Sequence, residues 1–192
     1  MKLAKSMLLA VLFTLCGVSS VAHAAPVGRV LIYINPQEYI YEHRIGGVGS
    51  GWDSVYWFKQ GPMVEPVAME ALQTLFADAR MCEAGMAADT IIWIRPGVVY
   101  NDQMTNFYGS IVADVYAGNG EFVASYQATA AKSGFWDVYP GEKITAAYKL
   151  AMQEVVKKIQ ADEKLQGLIT VGLGKDKTKI PCSMVALLPP KK

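Results

Sequence analysis

The sequence has few of the residues on which metal and redox chemistry depend. Its 192 residues include only three cysteines and two histidines. No two of the cysteines have the Cys-x-x-Cys spacing of redox motifs and zinc sites. Because such sites need several soft or imidazole ligands close together, we expect neither a metal ion nor another cofactor.

Charge is also scarce. Charged residues make up 18% of the chain, apolar residues make up 52%, and the formal net charge is +1. A chain this apolar buries enough surface to fold. It lacks the excess of basic residues that marks a nucleic-acid-binding protein. We therefore expect a folded protein that does not bind nucleic acid.

No apolar run is long enough to anchor the chain in a bilayer. The run at 7–18 is about a dozen residues long, whereas a transmembrane helix needs about 20. It follows Lys2 and Lys5 and is followed by Ala22-His23-Ala24, the small-x-small pattern that signal peptidase recognises. Residues 1–24 are thus predicted to be a cleavable signal peptide, which indicates a periplasmic protein of the bacterial envelope without a transmembrane segment.

Lipid attachment at Cys16 is the alternative to simple cleavage. Leu15 stands before this cysteine, where the attachment signal requires a small residue. We therefore expect an unlipidated protein and leave peripheral association with the outer membrane open.

The predicted mature chain, residues 25–192, has the length of one domain. Two of the 18 basic residues and none of the 17 acidic ones lie in the signal, so its formal charge is −1. Cys82 and Cys182 are the two cysteines that remain. In an oxidising compartment such a pair favours a structural disulfide, here tying the C-terminal tail to the domain. A redox pair and a metal site are the alternatives.

Apolar patterns predict an α+β fold. We expect an antiparallel or mixed sheet of about four to five strands with two helices packed on one face. The predicted strands are 28–35, 90–94 ending at Arg95-Pro96, and a hairpin of 106–116 and 121–130. The predicted helices are 66–81, with Pro66 in the first turn, and a helix of about 20 residues from Ile144. One or both of the tail runs, 168–173 and 184–188, are predicted to be strands.

Two segments rich in aromatic residues fall between these elements. We interpret 36–66 as a long loop with one short hairpin and 135–140 as a second loop. Large amphipathic rings in loops are typical of contact surfaces. The candidate binding residues are Trp52, Trp57, Phe58, Trp136 and Tyr139. The alternative is that the loops fold back so that the rings cover the ends of the sheet, while Trp93 is expected in the core.

No catalytic motif accompanies these features. The glycine-rich segment 46–51 is not followed by the Lys-Ser or Lys-Thr of a phosphate-binding loop. The sequence has no Gly-x-Ser-x-Gly motif with a nucleophilic serine for which His43 could act as the base. The carboxylates are spread singly along the chain. We therefore expect a protein that is not an enzyme.

The order of elements resembles a group of small envelope proteins. An alanine-rich helix from Ala68, an apolar strand closed by Arg95-Pro96, a hairpin turning at Gly118-Asn119-Gly120, and a helix of the form Ile144-x-x-Ala147-Tyr148 carry the resemblance. The pattern is similar to YajG, to the polysaccharide-export component PelC and to the N-terminal domain of TolB. It implies an accessory or assembly factor without catalysis, and many members of the group are outer-membrane lipoproteins.

Two functions remain open at this stage. The first is a non-catalytic periplasmic accessory or assembly protein that binds an envelope protein through its aromatic loops, with a homo-oligomer as one possible state. The second is a periplasmic binder of a small ligand, such as a glycan or lipid fragment. A large exposed apolar patch favours the first, and a concave pocket with converging polar groups favours the second.

Overall fold

The computed structural model describes residues 29–46, 55–135, 138–171 and 178–189. Seven strands, four helices and one 3₁₀ turn lie in these ranges. In chain order they are β1 Arg29–Ile34, α1 Gln37–Ile40, β2 His43–Gly46, β3 Val55–Phe58, α2 Gln60–Gln73, β4 Asp78–Met81, β5 Thr90–Asn101, β6 Asn106–Ala117, β7 Phe122–Ser133, α3 Pro140–Ala161, α4 Glu163–Val171 and the 3₁₀ turn Cys182–Leu187.

Five strands form one mixed sheet in the order β4-β1-β5-β6-β7. Strand β1 pairs parallel with β4 and β5, and the hairpin strands β6 and β7 continue the sheet antiparallel to β5. Strands β2 and β3 form a separate antiparallel pair. The predicted α+β class and mixed sheet are confirmed.

The main core lies between one face of the large sheet and helices α2 and α3. Phe107, Ile111, Ala113 and Val115 alternate along β6 and are fully or almost fully buried, as their spacing predicted. Helix α3 contributes residues at helical spacing from Ile144 to Ile159. Two helices on one face of the sheet therefore enclose a continuous apolar layer.

The C-terminal segment 178–189 packs on the opposite face of the sheet. Val185 joins Tyr33, Ile91, Trp93 and Tyr116 in a second buried cluster, which confirms Trp93 as a core residue. Cys182 is bonded to Cys82, with 5.6 Å between their Cα atoms. The predicted disulfide thus fastens this segment over the sheet.

Helix α2 differs from the predicted helix 66–81 at both ends. It begins at Gln60 instead of Pro66, because Tyr148 Oη donates a hydrogen bond to Gln60 Oε1 (2.8 Å) and the absent N–H of Pro62 costs nothing in a first turn. It ends at Gln73, before a turn that keeps Leu75 and Phe76 buried. The remainder of the predicted helix contains β4, which lengthens the sheet by pairing with β1.

Two predicted strand assignments are also corrected. Strand β5 does not end at Arg95-Pro96 but continues to Asn101, paired with β6. Strand β1 ends opposite Ile94, so Pro96 lies where β5 has no β1 partner, a position that tolerates the missing N–H. In the tail, 168–171 belongs to helix α4, which buries Leu165 and Ile169 one turn apart, and 184–187 belongs to the 3₁₀ turn.

Candidate functional site

One end of the large sheet gathers several loops. Asn101 pairs with Asn106, and Asn106 pairs with Ser133, so the turn of the β5-β6 hairpin and the exit of β7 share this end. The backbone N–H of Gly134 donates to the Thr105 carbonyl at 2.8 Å, which holds the exit of β7 against that turn. Strand β1 runs toward the same end and leads into α1 and the β2-β3 hairpin.

Exposed apolar side chains concentrate at this end. Among the described residues, twelve large apolar side chains are exposed, and four of them lie elsewhere, on α3, on α4 and in the C-terminal 3₁₀ turn. The other eight define what we call the apolar end: Ile40, Tyr41, Trp57, Val99, Met104, Phe135, Val138 and Tyr139. Exposure of single apolar residues is ordinary, but their concentration in one region is typical of a contact surface.

The structure separates two neighbouring candidate residues, Trp57 and Phe58. In the β2-β3 register Trp57 lies opposite Arg44, and its side chain is 55% exposed. Phe58 points to the other face of the hairpin, is 5% exposed and belongs to the main core. Phe58 is therefore a core residue and not a surface ring, because successive side chains of a strand point to opposite faces.

Of the other candidate residues, Tyr139 is 72% exposed at the start of α3. Trp52 and Trp136 lie outside the described residues. Tyr139 is one of two described non-glycine residues with positive φ (48°), a conformation that strains a residue with a Cβ atom. This backbone bend lies immediately before the first residue of α3.

Tyr56 of the first aromatic segment contacts Gly141, which directly follows the second segment. A Cβ atom placed on Gly141 would lie 2.9 Å from Tyr56 Oη, so the glycine permits the hairpin to contact the first turn of α3. A shallow groove of about 610 Å³ follows this contact. Its walls are Tyr56 and residues 138–142, with Glu142 as the charged group. Tyr56 is one of the rings of the first aromatic segment, whereas Gly141 has no signal in the sequence, and only their contact places both residues in the groove.

Polar and aromatic contacts hold the β2-β3 hairpin in place. His43 Nε2 lies 3.0 Å from Glu38 Oε2, and the His43 ring is 6.1 Å from that of Phe58. Tyr56 stacks on Phe58 with 5.7 Å between ring centroids. Tyr39 Oη donates to Glu65 Oε2 at 2.7 Å, and burial raises the pKa of Tyr39, so its hydroxyl remains a proton donor. His43 therefore helps to position the apolar end and has no nucleophile among these contacts.

A second groove runs between α2 and α3. It measures about 270 Å³ and is bordered by Val67, Ala71 and Val156 together with polar side chains of both helices. Lys149 Nζ donates to Glu70 Oε1 across it at 2.7 Å. Exposed ion pairs of this kind contribute little to stability. We find no converging set of polar groups here that would define a ligand.

A buried charge lies on the sheet face opposite α2 and α3. Asp114 is fully buried and accepts hydrogen bonds from Arg95 Nη2 and Ser125 Oγ, both at 2.6 Å. The nearby Tyr116 has a raised pKa, caused first by burial and second by the charge of Asp114. The three strands β5, β6 and β7 each contribute one member of this network. A buried carboxylate with two such partners fixes the pairing of strands, and we assign it a structural role.

In residues 29–46, 55–135, 138–171 and 178–189, no three histidine, cysteine or acidic side chains lie together in a way that could hold a metal ion. Over the same part of the chain, no helix is both long and apolar enough to cross a bilayer.

The fold and site thus define an α+β domain whose mixed sheet carries two helices on one face and an apolar surface at one end. No family model matches the chain, and no curated protein matches it. The structure is similar to that of protein XCC0632 from Xanthomonas campestris, which is assigned to the family model DUF330. The TM-score is 0.45, with 16% identity over 73% of this chain and 86% of that one.

Two structures of the PelC dodecamer from Paraburkholderia phytofirmans are also similar. Both have a TM-score of 0.38 over 66% of this chain. Their identities are 13% and 14%, and the match covers 85% and 86% of those chains. PelC is one of the proteins that the element order resembles, whereas the resemblance to YajG and TolB stays a prediction. At these scores the comparisons transfer no function to this chain.

Proposed function

We propose that this protein is a non-catalytic accessory or assembly factor of the bacterial cell envelope that binds another envelope protein through its apolar end. One observation carries the proposal: eight of the twelve large apolar side chains exposed in the described residues lie at one end of the sheet. Aromatic side chains are enriched at protein interfaces because they bury a large area with little loss of conformational entropy. Tyr41, Trp57, Phe135 and Tyr139 supply four such rings.

The construction of this end supports a preformed surface. Tyr56 and Phe58 stack on the face of the hairpin opposite Trp57. The contact between His43 and Glu38 links the start of β2 to α1. The contact between Tyr56 and Gly141 joins the hairpin to α3. A surface held by core contacts on several sides loses less entropy on binding than a free loop does.

Site-specific photocrosslinking in living cells tests the proposal. A photoreactive phenylalanine analogue is placed at Trp57 or Tyr139, and at the exposed controls Leu150 and Leu168 on α3 and α4. We expect the same envelope protein to crosslink at 57 and 139 and not at 150 or 168. Equal crosslinking at all four positions, or none at 57 and 139, would contradict the proposal.

The small-ligand binder is a second candidate because the groove of Tyr56 and residues 138–142 borders two rings and one carboxylate. Enclosed ligand sites bury most of the ligand surface. Native mass spectrometry of protein isolated from the periplasm tests this function. A bound small mass that is lost in Gly141→Leu but kept in Leu150→Ala would support ligand binding in place of protein binding.

A further inference from the structure

The two edge strands of the large sheet differ in how well they are protected against pairing with a strand of another molecule. Strand β4 has four residues, of which Asp78 and Arg80 are charged and bonded to each other at 2.6 Å. Natural proteins block edge strands in this way, by short length and by charge. Strand β7 has twelve residues without proline or glycine, and no charged residue stands between Phe122 and Ala131. Within the part of the chain that the structure describes, β4 thus has both of these protections, and the run 122–131 of β7 has neither.

The hydrogen-bonding groups of β7 that face outward can be assigned. Lys158 Nζ donates to the Gln127 backbone carbonyl at 2.5 Å from α3, so this carbonyl faces away from β6. Alternate residues of a strand direct their N–H and C=O groups to the same side. Thr129 and Ala131 therefore also present outward N–H and C=O groups, and their side chains are exposed. The register shift near Val115 affects only the start of β7.

We propose that β7 pairs antiparallel with β7 of a second copy of this chain, which joins two sheets across a twofold axis near Thr129. An antiparallel strand paired with itself is an isologous contact, in which the same surface serves both copies. Self-pairing requires that no like charges meet, and the uncharged run from Phe122 to Ala131 satisfies this condition. The partner's backbone N–H then replaces Lys158 as the donor to Gln127.

The charges that border β7 are compatible with this register. With Thr129 on the axis, Lys132 lies opposite Tyr126 of the other copy and not opposite a second lysine. The two Gln127 residues, which Lys158 contacts, are offset by four residues, or about 14 Å at 3.4 Å per residue. The central pair is threonine with threonine, a cross-strand pair that favours antiparallel association.

The pairing does not depend on the function of the apolar end, because the exposed residues of that end are not on β7. A dimer would carry two apolar ends on one continuous sheet. Failure of the pairing therefore leaves the proposed function intact, and failure of the proposed function leaves the pairing intact.

Sedimentation velocity of the processed protein tests the proposal. We expect a dimer at about 100 µM protein and dissociation on dilution. Thr129→Lys places like charges next to each other on the axis and should weaken dimerisation at least about tenfold. Gln153→Lys, which adds the same charge at an exposed position of α3, should leave the dimer unchanged.

Two further variants keep the test independent of local misfolding. Thr129→Pro removes an outward N–H without breaking a bond to β6, so it should give a folded monomer with an unchanged circular dichroism spectrum. Thr129→Cys should form a disulfide-linked dimer on mild oxidation, whereas Gln153→Cys should not. A monomeric wild-type protein throughout, or a dimer that survives both Thr129→Lys and Thr129→Pro, would overturn the proposal.

Discussion

Tyr56 and Gly141 are in contact at the point where the β2-β3 hairpin meets the first turn of α3. A Cβ atom at residue 141 would lie 2.9 Å from Tyr56 Oη, so any residue other than glycine requires the Tyr56 side chain to move. The contact brings together in space two aromatic segments that are far apart in the sequence. Under the proposed function, one partner contacts the exposed rings of both segments.

The neighbours Trp57 and Phe58 should respond differently to truncation. Trp57→Ala removes a ring that is mostly in solvent, so the free energy of unfolding should change by no more than about 0.5 kcal/mol. Phe58→Ala leaves a cavity in the core and should cost about 3 to 5 kcal/mol. Urea unfolding of the two variants measures both values. A large loss for Trp57→Ala would show that its ring supports the fold.

Two glycines should respond with opposite sign to the same substitution. A Cβ atom on Gly109 would lie 2.8 to 2.9 Å from the backbone of Ala147 and Tyr148, where α3 crosses β6. Because backbone cannot move aside, Gly109→Ala should destabilise the protein by about 1 to 3 kcal/mol. Gly167 lies in α4 with open space around it, so Gly167→Ala should stabilise by up to about 1 kcal/mol. Thermal unfolding compares the two, and equal shifts would contradict the close approach of α3.

The disulfide between Cys82 and Cys182 should stabilise the protein through the long loop it closes. The two cysteines are 100 residues apart, for which the chain-entropy model gives about 4 to 5 kcal/mol as an upper value. Cys182→Ala should lower the melting temperature. The intact mass of the wild type should be about 2 Da below that of its reduced form, since bond formation removes two hydrogens. Two freely alkylated thiols in protein purified without a reductant would refute the bridge.

Asp162 should make part of the stability depend on pH. Tyr126 Oη donates to Asp162 Oδ2 at 2.7 Å, and this bond is the main cause of the lowered pKa of the carboxyl group. The backbone N–H of Leu165 donates to Oδ1 at 3.0 Å, which caps the N-terminus of α4. The stabilisation is therefore present above the ordinary carboxyl pKa of about 4 and is lost as the pH falls through the lower, folded value.

Two substitutions distinguish the effect of the Asp162 charge on stability from its effect as a helix cap. They are Asp162→Asn and Asp162→Ala. Asparagine caps helices as well as aspartate does, so Asp162→Asn should flatten the pH dependence of the unfolding free energy below about pH 5 with little loss of helix capping. Asp162→Ala should cost about 0.5 to 2 kcal/mol at neutral pH. Urea unfolding at a series of pH values measures both effects. Identical slopes for wild type and Asp162→Asn would exclude this residue as a source of acid sensitivity.

Strong periodic patterns made parts of this fold predictable. The alternation from Phe107 to Val115 and the helical spacing from Ile144 to Ile159 each match one buried face, so strand β6 and helix α3 follow from the sequence. The start of helix α2 does not, because the Gly61-Pro62 pair that opens it favours a turn locally, and the bond between Gln60 and Tyr148 comes from a distant part of the chain. Strand β4 is too short for its alternation to be distinguished from the preceding helical pattern.

The site was predictable in composition but not in arrangement. The aromatic residues of the two segments are evident in the sequence, yet the register of β2 with β3 decides that Trp57 faces solvent and Phe58 the core. The exposed residues Ile40, Val99 and Met104 carry no local signal, because they join the apolar end only through the sheet topology.

The affinity for the crosslinked partner tests the central claim most directly. Once photocrosslinking at Trp57 or Tyr139 has identified a partner, calorimetry compares its binding to wild type, Trp57→Ala, Tyr139→Ala and the control Leu150→Ala. The account predicts a loss of more than about 2 kcal/mol for at least one of the two ring variants, with unchanged melting temperatures and wild-type affinity for the control. Wild-type affinity in both ring variants would contradict the claim that the apolar end is the binding surface.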